Sequence, residues 1–179
     1  NEEVTAGFEA PEIIVVLDST IRKMTGTPGC NWSVAGAVDI TNMANEVGVG
    51  IVEVNLVHGN MPASEKLLTM FEAIAKTKHD FTLVGTAWAS DRSTIDDAID
   101  HGADAVNIGG RHRQHIEEAY GYIQERGVRV ATTLGTRIEH NPPEHVAKLL
   151  NDILVYADPI YIGIHENTGA TTPEAWRYY

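Results

Sequence analysis

Three residues near the start of the chain are of types that can do carbonyl chemistry. Arg22 and Lys23 end the segment I-I-V-V-L-D-S-T-I-R-K at 13–23, and Glu53 lies in I-V-E-V-N-L-V-H-G-N at 51–60. A guanidinium presents a planar fork of N–H donors to an oxyanion. A carboxylate can orient that fork or move a proton, and a deprotonated lysine can form a Schiff base with a carbonyl carbon. Asp18, Thr20 and Arg22 are spaced two apart, as are Glu53 and Asn55, so each set shares one face of an extended strand. By the same alternation Lys23 faces away from Arg22, and a solvated lysine is its plainer reading. Arg22 and Glu53 also have a bland reading, an ion pair that only ties two strand ends together.

Further candidates lie downstream. His58, in a His-Gly-Asn run, has the chemistry of a proton shuttle or of an idle loop histidine. Gly110, Arg111 and Arg113 belong to G-G-R-H-R ahead of a helical stretch. Free backbone N–H groups and two guanidiniums could hold a phosphate or carboxylate there. The competing reading is a turn followed by a solvated helix face. His112 and His115 are three apart but have no third ligand nearby for a metal. Neither a G-x-G-x-x-G nor a Walker loop is present, which leaves nucleotide readings without support.

These residues need elements to position them. Residues 13–17 form a continuous apolar run, expected as a strand buried on both faces. A loop at 24–32 follows, then a helix to about residue 47, capped by Ser33 and with an apolar face of Val34, Val38, Ile40, Met43, Ala44 and Val47. The pattern then repeats. Strands are expected at 51–57, 81–86, 105–108, 128–133 and 159–164, with helices at 63–76, 93–101, 112–126 and 143–156. Thr172-Pro173-Glu174 resembles the start of one more helix.

Strict strand–helix alternation predicts a parallel sheet with helical crossovers, closed as a barrel or left open and doubly wound. Six units are two short of a (β/α)8 barrel, which typically takes about 250 residues. The expectation is α/β, a TIM-barrel-like (β/α) repeat with about six units, incomplete as given. Residues 1–12 are an acidic lead-in, and 13–179 one partial (β/α)8-type domain.

Composition sets the outer limits. The 179 residues carry a formal net charge of −12, against the clustered Lys and Arg that a nucleic-acid partner requires. No apolar run approaches the roughly 18 residues of a membrane span. Cys30 is the single cysteine, so no intrachain disulfide can form, in keeping with a cytoplasmic setting. Open strand edges predict a homo-oligomer or a partner subunit that covers them.

Read together, Asp18-Ser19-Thr20-Ile21-Arg22-Lys23 and Val52-Glu53-Val54 resemble the first two strand ends of the DRE-TIM metallolyases, where D-x-T-L-R-D-G-x-Q is followed by I-E-V. That family includes HMG-CoA lyase, isopropylmalate and homocitrate synthases, and 4-hydroxy-2-oxovalerate aldolase. The segment Thr133-Leu134-Gly135-Thr136-Arg137 is similar to the end of the family's fifth strand. His165-Glu166-Asn167-Thr168-Gly169-Ala170 through Glu174 is similar to its sixth, D-T-x-G-x-x-T/S-P-E. The resemblance implies lyase, aldolase or acyl-transferase chemistry through an enolate, on a small oxo acid or acyl-CoA. It implies Arg22, Glu53 and Lys23 at the catalytic centre, with Asp18, Asn55, His58, Thr133, Arg137, Glu166 and Asn167 around the substrate.

The family would also imply a divalent Mg, Mn or Zn ion, but its ligands are missing here. Lys23 occupies the place of the ligating Asp, and the H-x-H pair of the seventh strand has no counterpart. Two other readings therefore compete with an enzyme. One is a non-catalytic barrel homologue serving as a binding or scaffold subunit. The other is an unrelated flavodoxin-like open sheet, which a sequential strand order would exclude.

Overall fold

The computed structural model describes residues 14–57, 63–77, 79–110, 113–134 and 142–164. Six parallel strands form one sheet in the order β1-β2-β3-β4-β5-β6. They are β1 (Leu17–Asp18), β2 (Ile51–Asn55), β3 (Thr82–Trp88), β4 (Ala105–Gly110), β5 (Arg129–Leu134) and β6 (Ile162–Ile164). The helices are α1 (Thr20–Gly26), α2 (Val34–Glu46), α3 (Glu65–Ala75), α4 (Arg92–Asp100), α5 (Arg113–Glu125) and α6 (Pro143–Tyr156). Sequential order with helical crossovers is the winding of a TIM-type barrel, here an incomplete one. A doubly wound sheet reverses order at a switch point, so the flavodoxin-like alternative is excluded.

Strand alternation sorts side chains onto two faces. Val52, Val54 and Leu56, Leu83 and Ala87, Val106 and Ile108, and Val130 face the helices and are buried there. Against them pack Leu67, Met70, Phe71 and Ile74 of α3, Ile95 and Ala98 of α4, and Ala119, Tyr120 and Ile123 of α5. Each large apolar side chain buried in this layer contributes roughly 1.5–3 kcal/mol. Gly85 on the same face lets α4 come close, since a Cβ there would lie 2.8 Å from the Ala98 Cβ. The opposite, concave face begins with a small apolar floor of Val84, Ala105 and Ala131, flanked by Ile51, Ile160 and Tyr161.

Helix starts follow their caps. The side chains of Ser33, Ser64 and Asp91 accept from Gly36, Leu67 and Ser93 backbone N–H groups at the starts of α2, α3 and α4. The buried stripe of α2 is Ala37, Thr41 and Ala44, whereas Met43 and Val47, expected to face the core, are 65% and 80% exposed. The small stripe brings α2 close to its neighbours and leaves the larger residues outside. No helix among the described residues is long and apolar enough to cross a membrane.

The first unit departs from the sequence expectation. Instead of a buried strand over 13–17, β1 has two residues, and Ile14, Val15 and Val16 are 78%, 60% and 54% exposed on the sheet edge. Thr20–Gly26 is helical, so Asp18, Thr20 and Arg22 do not alternate along a strand, and the expected loop at 24–32 begins only after Gly26. The cause is local. Asp18 Oδ1 accepts the Thr20 backbone N–H at 2.9 Å and Oδ2 accepts the Thr20 hydroxyl at 2.8 Å. The chain turns at once, and Lys23 N–H closes onto the Ser19 carbonyl at 2.9 Å.

Candidate functional site

Above the apolar floor, polar residues from neighbouring strands meet on the concave face. Glu53 of β2 is 2% exposed. Its Oε1 accepts from the Thr86 hydroxyl of β3 at 3.0 Å, from Asn107 Nδ2 of β4 at 2.5 Å, and from the Tyr161 hydroxyl ahead of β6 at 3.3 Å. Its Oε2 accepts from Arg22 Nη1 of α1 at 2.8 Å. Asn107 Nδ2 also donates to Thr133 Oγ1 of β5 at 3.1 Å. This layer therefore links the first unit to the sixth.

A buried carboxylate is tolerated only when paired and hydrogen-bonded, and Glu53 meets both conditions. Burial pushes the Tyr161 phenol well above its ordinary range. The neighbouring Glu53 carboxylate adds to that rise, and Arg22 opposes it. Tyr161 is thus a neutral donor at physiological pH. Arg22 reaches solvent, its side chain 23% exposed against 3% for Glu53. A guanidinium anchored on one side, with N–H donors left over, is suited to receive a carboxylate or a developing oxyanion. Glu53 is suited to hold it, because both of its oxygens are already engaged.

The predicted residues divide accordingly. Arg22, Glu53 and Thr133 come together in the layer. Lys23 is exposed on α1, where consecutive residues are about 100° apart. Asp18 spends both oxygens on Thr20 and orients α1. Asn55 lies one step nearer the strand ends than Glu53, its Nδ2 donating to the Val57 carbonyl at 2.5 Å. Gly109 and Gly110 were expected between strand and helix, but both belong to β4, in register with Thr133 and Leu134. His58, Arg111, Arg137, Glu166 and Asn167 lie outside the described residues, as do His112 and the expected helix at 172–174, and the Arg113 side chain is not described.

Thr86, Asn107 and Tyr161 were missed. The signal was available for the first two. Each is a polar residue inside an apolar strand, at the inward position of T-L-V-G-T-A-W and A-V-N-I-G-G.

The described donor set does not fit a divalent cation. Glu53 already accepts from four donors and Asp18 from two groups of Thr20, while the residue after Arg22 is an ammonium rather than a carboxylate. Among the described residues no three His, Cys, Asp or Glu stand together as metal ligands.

No protein-family model matches the chain, and no curated protein matches it. Solved structures do. A dihydropteroate synthase from Xanthomonas albilineans, in complex with 7,8-dihydropteroate, superposes with a TM-score of 0.60 at 15% identity over 91% of this chain. The 7,8-dihydropteroate synthase of Vibrio fischeri gives 0.58 at 13% identity over 90%. A 2,3-dimethylmalate lyase of the PEP mutase/isocitrate lyase superfamily gives 0.54 at 15% identity over 74%. The chain spans 49–64% of the length of these structures. At such identities the likeness shows the fold alone, TIM-barrel-like and shared with enzymes that include a lyase.

Proposed function

We propose that this chain carries the oxyanion-binding half of a lyase- or aldolase-type site acting on a small oxo acid or acyl-CoA through an enolate. One observation carries the reading: Arg22, partly open to solvent, is held at the carboxyl end of the sheet by a buried Glu53 that three further donors fix in place. When a carbon–carbon bond beside a carbonyl breaks, its electron pair moves onto the carbonyl oxygen. Arg22 N–H groups donate to that oxygen as its charge develops, and the carbon is protonated afterwards. Preorganised donors of this kind typically contribute 10²–10³ in rate. The shared fold with a lyase agrees with this reading.

Methyl-proton exchange of pyruvate in D2O, followed by NMR, tests it. The protein accelerates exchange and Arg22→Ala abolishes the acceleration. Absence of both exchange and pyruvate binding would overturn the proposal.

A second reading, a non-catalytic anion-binding barrel, is favoured by the saturation of Glu53, which leaves this carboxylate no free oxygen to act as base. Arg22-dependent binding without exchange selects it.

A further inference from the structure

The β1 end of the sheet carries most of the large apolar surface that the described residues leave uncovered. Of nine large apolar side chains exposed among them, six lie there: Ile14, Val15, Val16 and Leu17 on the strand edge, and Met43 and Val47 on α2. The two groups adjoin. From Val47 the chain turns at Gly48, with φ of 79°, and reaches Gly50, whose N–H donates to the Val16 carbonyl at 3.1 Å. A Cβ on Gly50 would lie 2.7 Å from the Val15 side chain. Three residues span at most about 11 Å, so the strand and helix groups form one surface.

α2 presents its share of that surface at the spacing of a helix–helix contact. Ala37, Thr41 and Ala44 are its buried stripe, and Val34 and Val38 pack on the core to one side of it. At about 100° per residue, Ile40, Met43 and Val47 fall on the other flank, three and four residues apart. α3 lies alongside α2 yet leaves Met43 and Val47 open. In the sheet layer, β1 pairs on one side only, with β2. Edge strands are ordinarily blunted by a charge, a proline or a bulge. Residues 14–17 contain neither a charged residue nor a proline.

We propose that this surface joins two copies of the chain about a two-fold axis. β1 runs antiparallel to β1 of the second copy, and the Ile40–Met43–Val47 flank of α2 packs on the same flank of its mate. A two-fold perpendicular to the sheet at its β1 edge reverses strand and helix together, so one operator covers both layers. The six exposed side chains offer on the order of 500 Å² in each copy, which brings the pair to about the 1,000 Å² that specific association needs. Charge favours the same place. Each chain carries a formal charge of −12, so two copies repel. Residues 14–17 and the three apolar residues of α2 have no ionisable side chain, and the copies meet there without opposing like charges.

Sedimentation of the 179-residue chain tests the proposal. The expected species is a dimer, tightened by added salt as the like charges are screened. Val15→Lys and Met43→Lys each weaken it at least about tenfold. Either lysine lowers the net negative charge, so a weaker dimer reports on the surface itself. Leu154→Lys, on an exposed position of α6, leaves association within about twofold. Amide exchange at residues 14–17 slows in the dimer. Should Val15→Lys not fold, by circular dichroism, Met43→Lys on the open helix flank still decides. A monomer, a dimer indifferent to both lysines, or assembly that Leu154→Lys abolishes would overturn the proposal.

Discussion

The Tyr161 hydroxyl lies 3.3 Å from Glu53 Oε1, joining residues 108 positions apart across the concave face. It is the longest of the four bonds to this buried carboxylate, and its distance marks it as the weakest. The strength of the layer rests on Asn107 and Arg22, at 2.5 and 2.8 Å.

Glu53→Ala is therefore expected to destabilise the protein by about 3 kcal/mol. Removing one partner of a buried ion pair costs about 3–5 kcal/mol, and the partial exposure of Arg22 places this pair at the low end. Asn107 also loses an acceptor. Urea unfolding measures the loss, and a change below 1 kcal/mol would show that the layer adds little to stability.

Tyr161→Phe should cost only about 0.5–1 kcal/mol, the worth of one ordinary hydrogen bond. Comparison with Glu53→Ala in the same denaturant separates the centre of the layer from its rim.

Asp18→Ala removes both bonds that start α1. A lost hydrogen bond costs about 1 kcal/mol, yet Arg22 sits on the helix that this turn orients. Anion affinity is expected to fall by more than the stability loss accounts for, and titration with pyruvate beside thermal melting distinguishes the two. Equal losses would mean that Asp18 does not position Arg22.

Gly85→Val tests the helix side. A Cβ would already meet Ala98 at 2.8 Å and Leu56 at 3.2 Å. Overpacking of this kind typically costs 1–3 kcal/mol, and the larger valine belongs at the upper end, about 3 kcal/mol.

Tyr120 supplies a pH dependence. It is 1% exposed, and its hydroxyl has no hydrogen-bond partner among the described residues. Thr132, whose hydroxyl pulls the other way, donates to the Ile108 carbonyl instead. Burial pushes Tyr120 up to about 12 from 10.0. Because the folded value is the higher, the unfolded chain gives up the proton first. Stability is intact below pH 10 and falls as pH rises from there through about 12. Tyr120→Phe should flatten that decline in alkaline unfolding curves, and an unchanged slope would assign it to other groups.

Much of the architecture was legible because five of the six strands carry long apolar runs with turn signals between them. Glu53 and Thr133 could be found from strand-end motifs, Thr86 and Asn107 only from asking which polar residues share a face with them. The first unit could not be read by alternation. A period-two argument assumes an extended backbone, and Asp18 ends that backbone by bonding Thr20. Tyr161 carried no local signal, since its role depends on β6 lying four strands from β2.

The sequential strand order has a consequence for how this molecule forms. From β2 to β6, each new strand docks on the strand made just before it, so loops stay short and the sheet can grow in one direction as the chain lengthens. The Glu53 carboxylate forms early in that growth. Its donors arrive one at a time, from β3, then β4, and last from Tyr161. The last donor to the Glu53 carboxylate thus arrives only at the end, which makes its full hydrogen bonding a late event in folding.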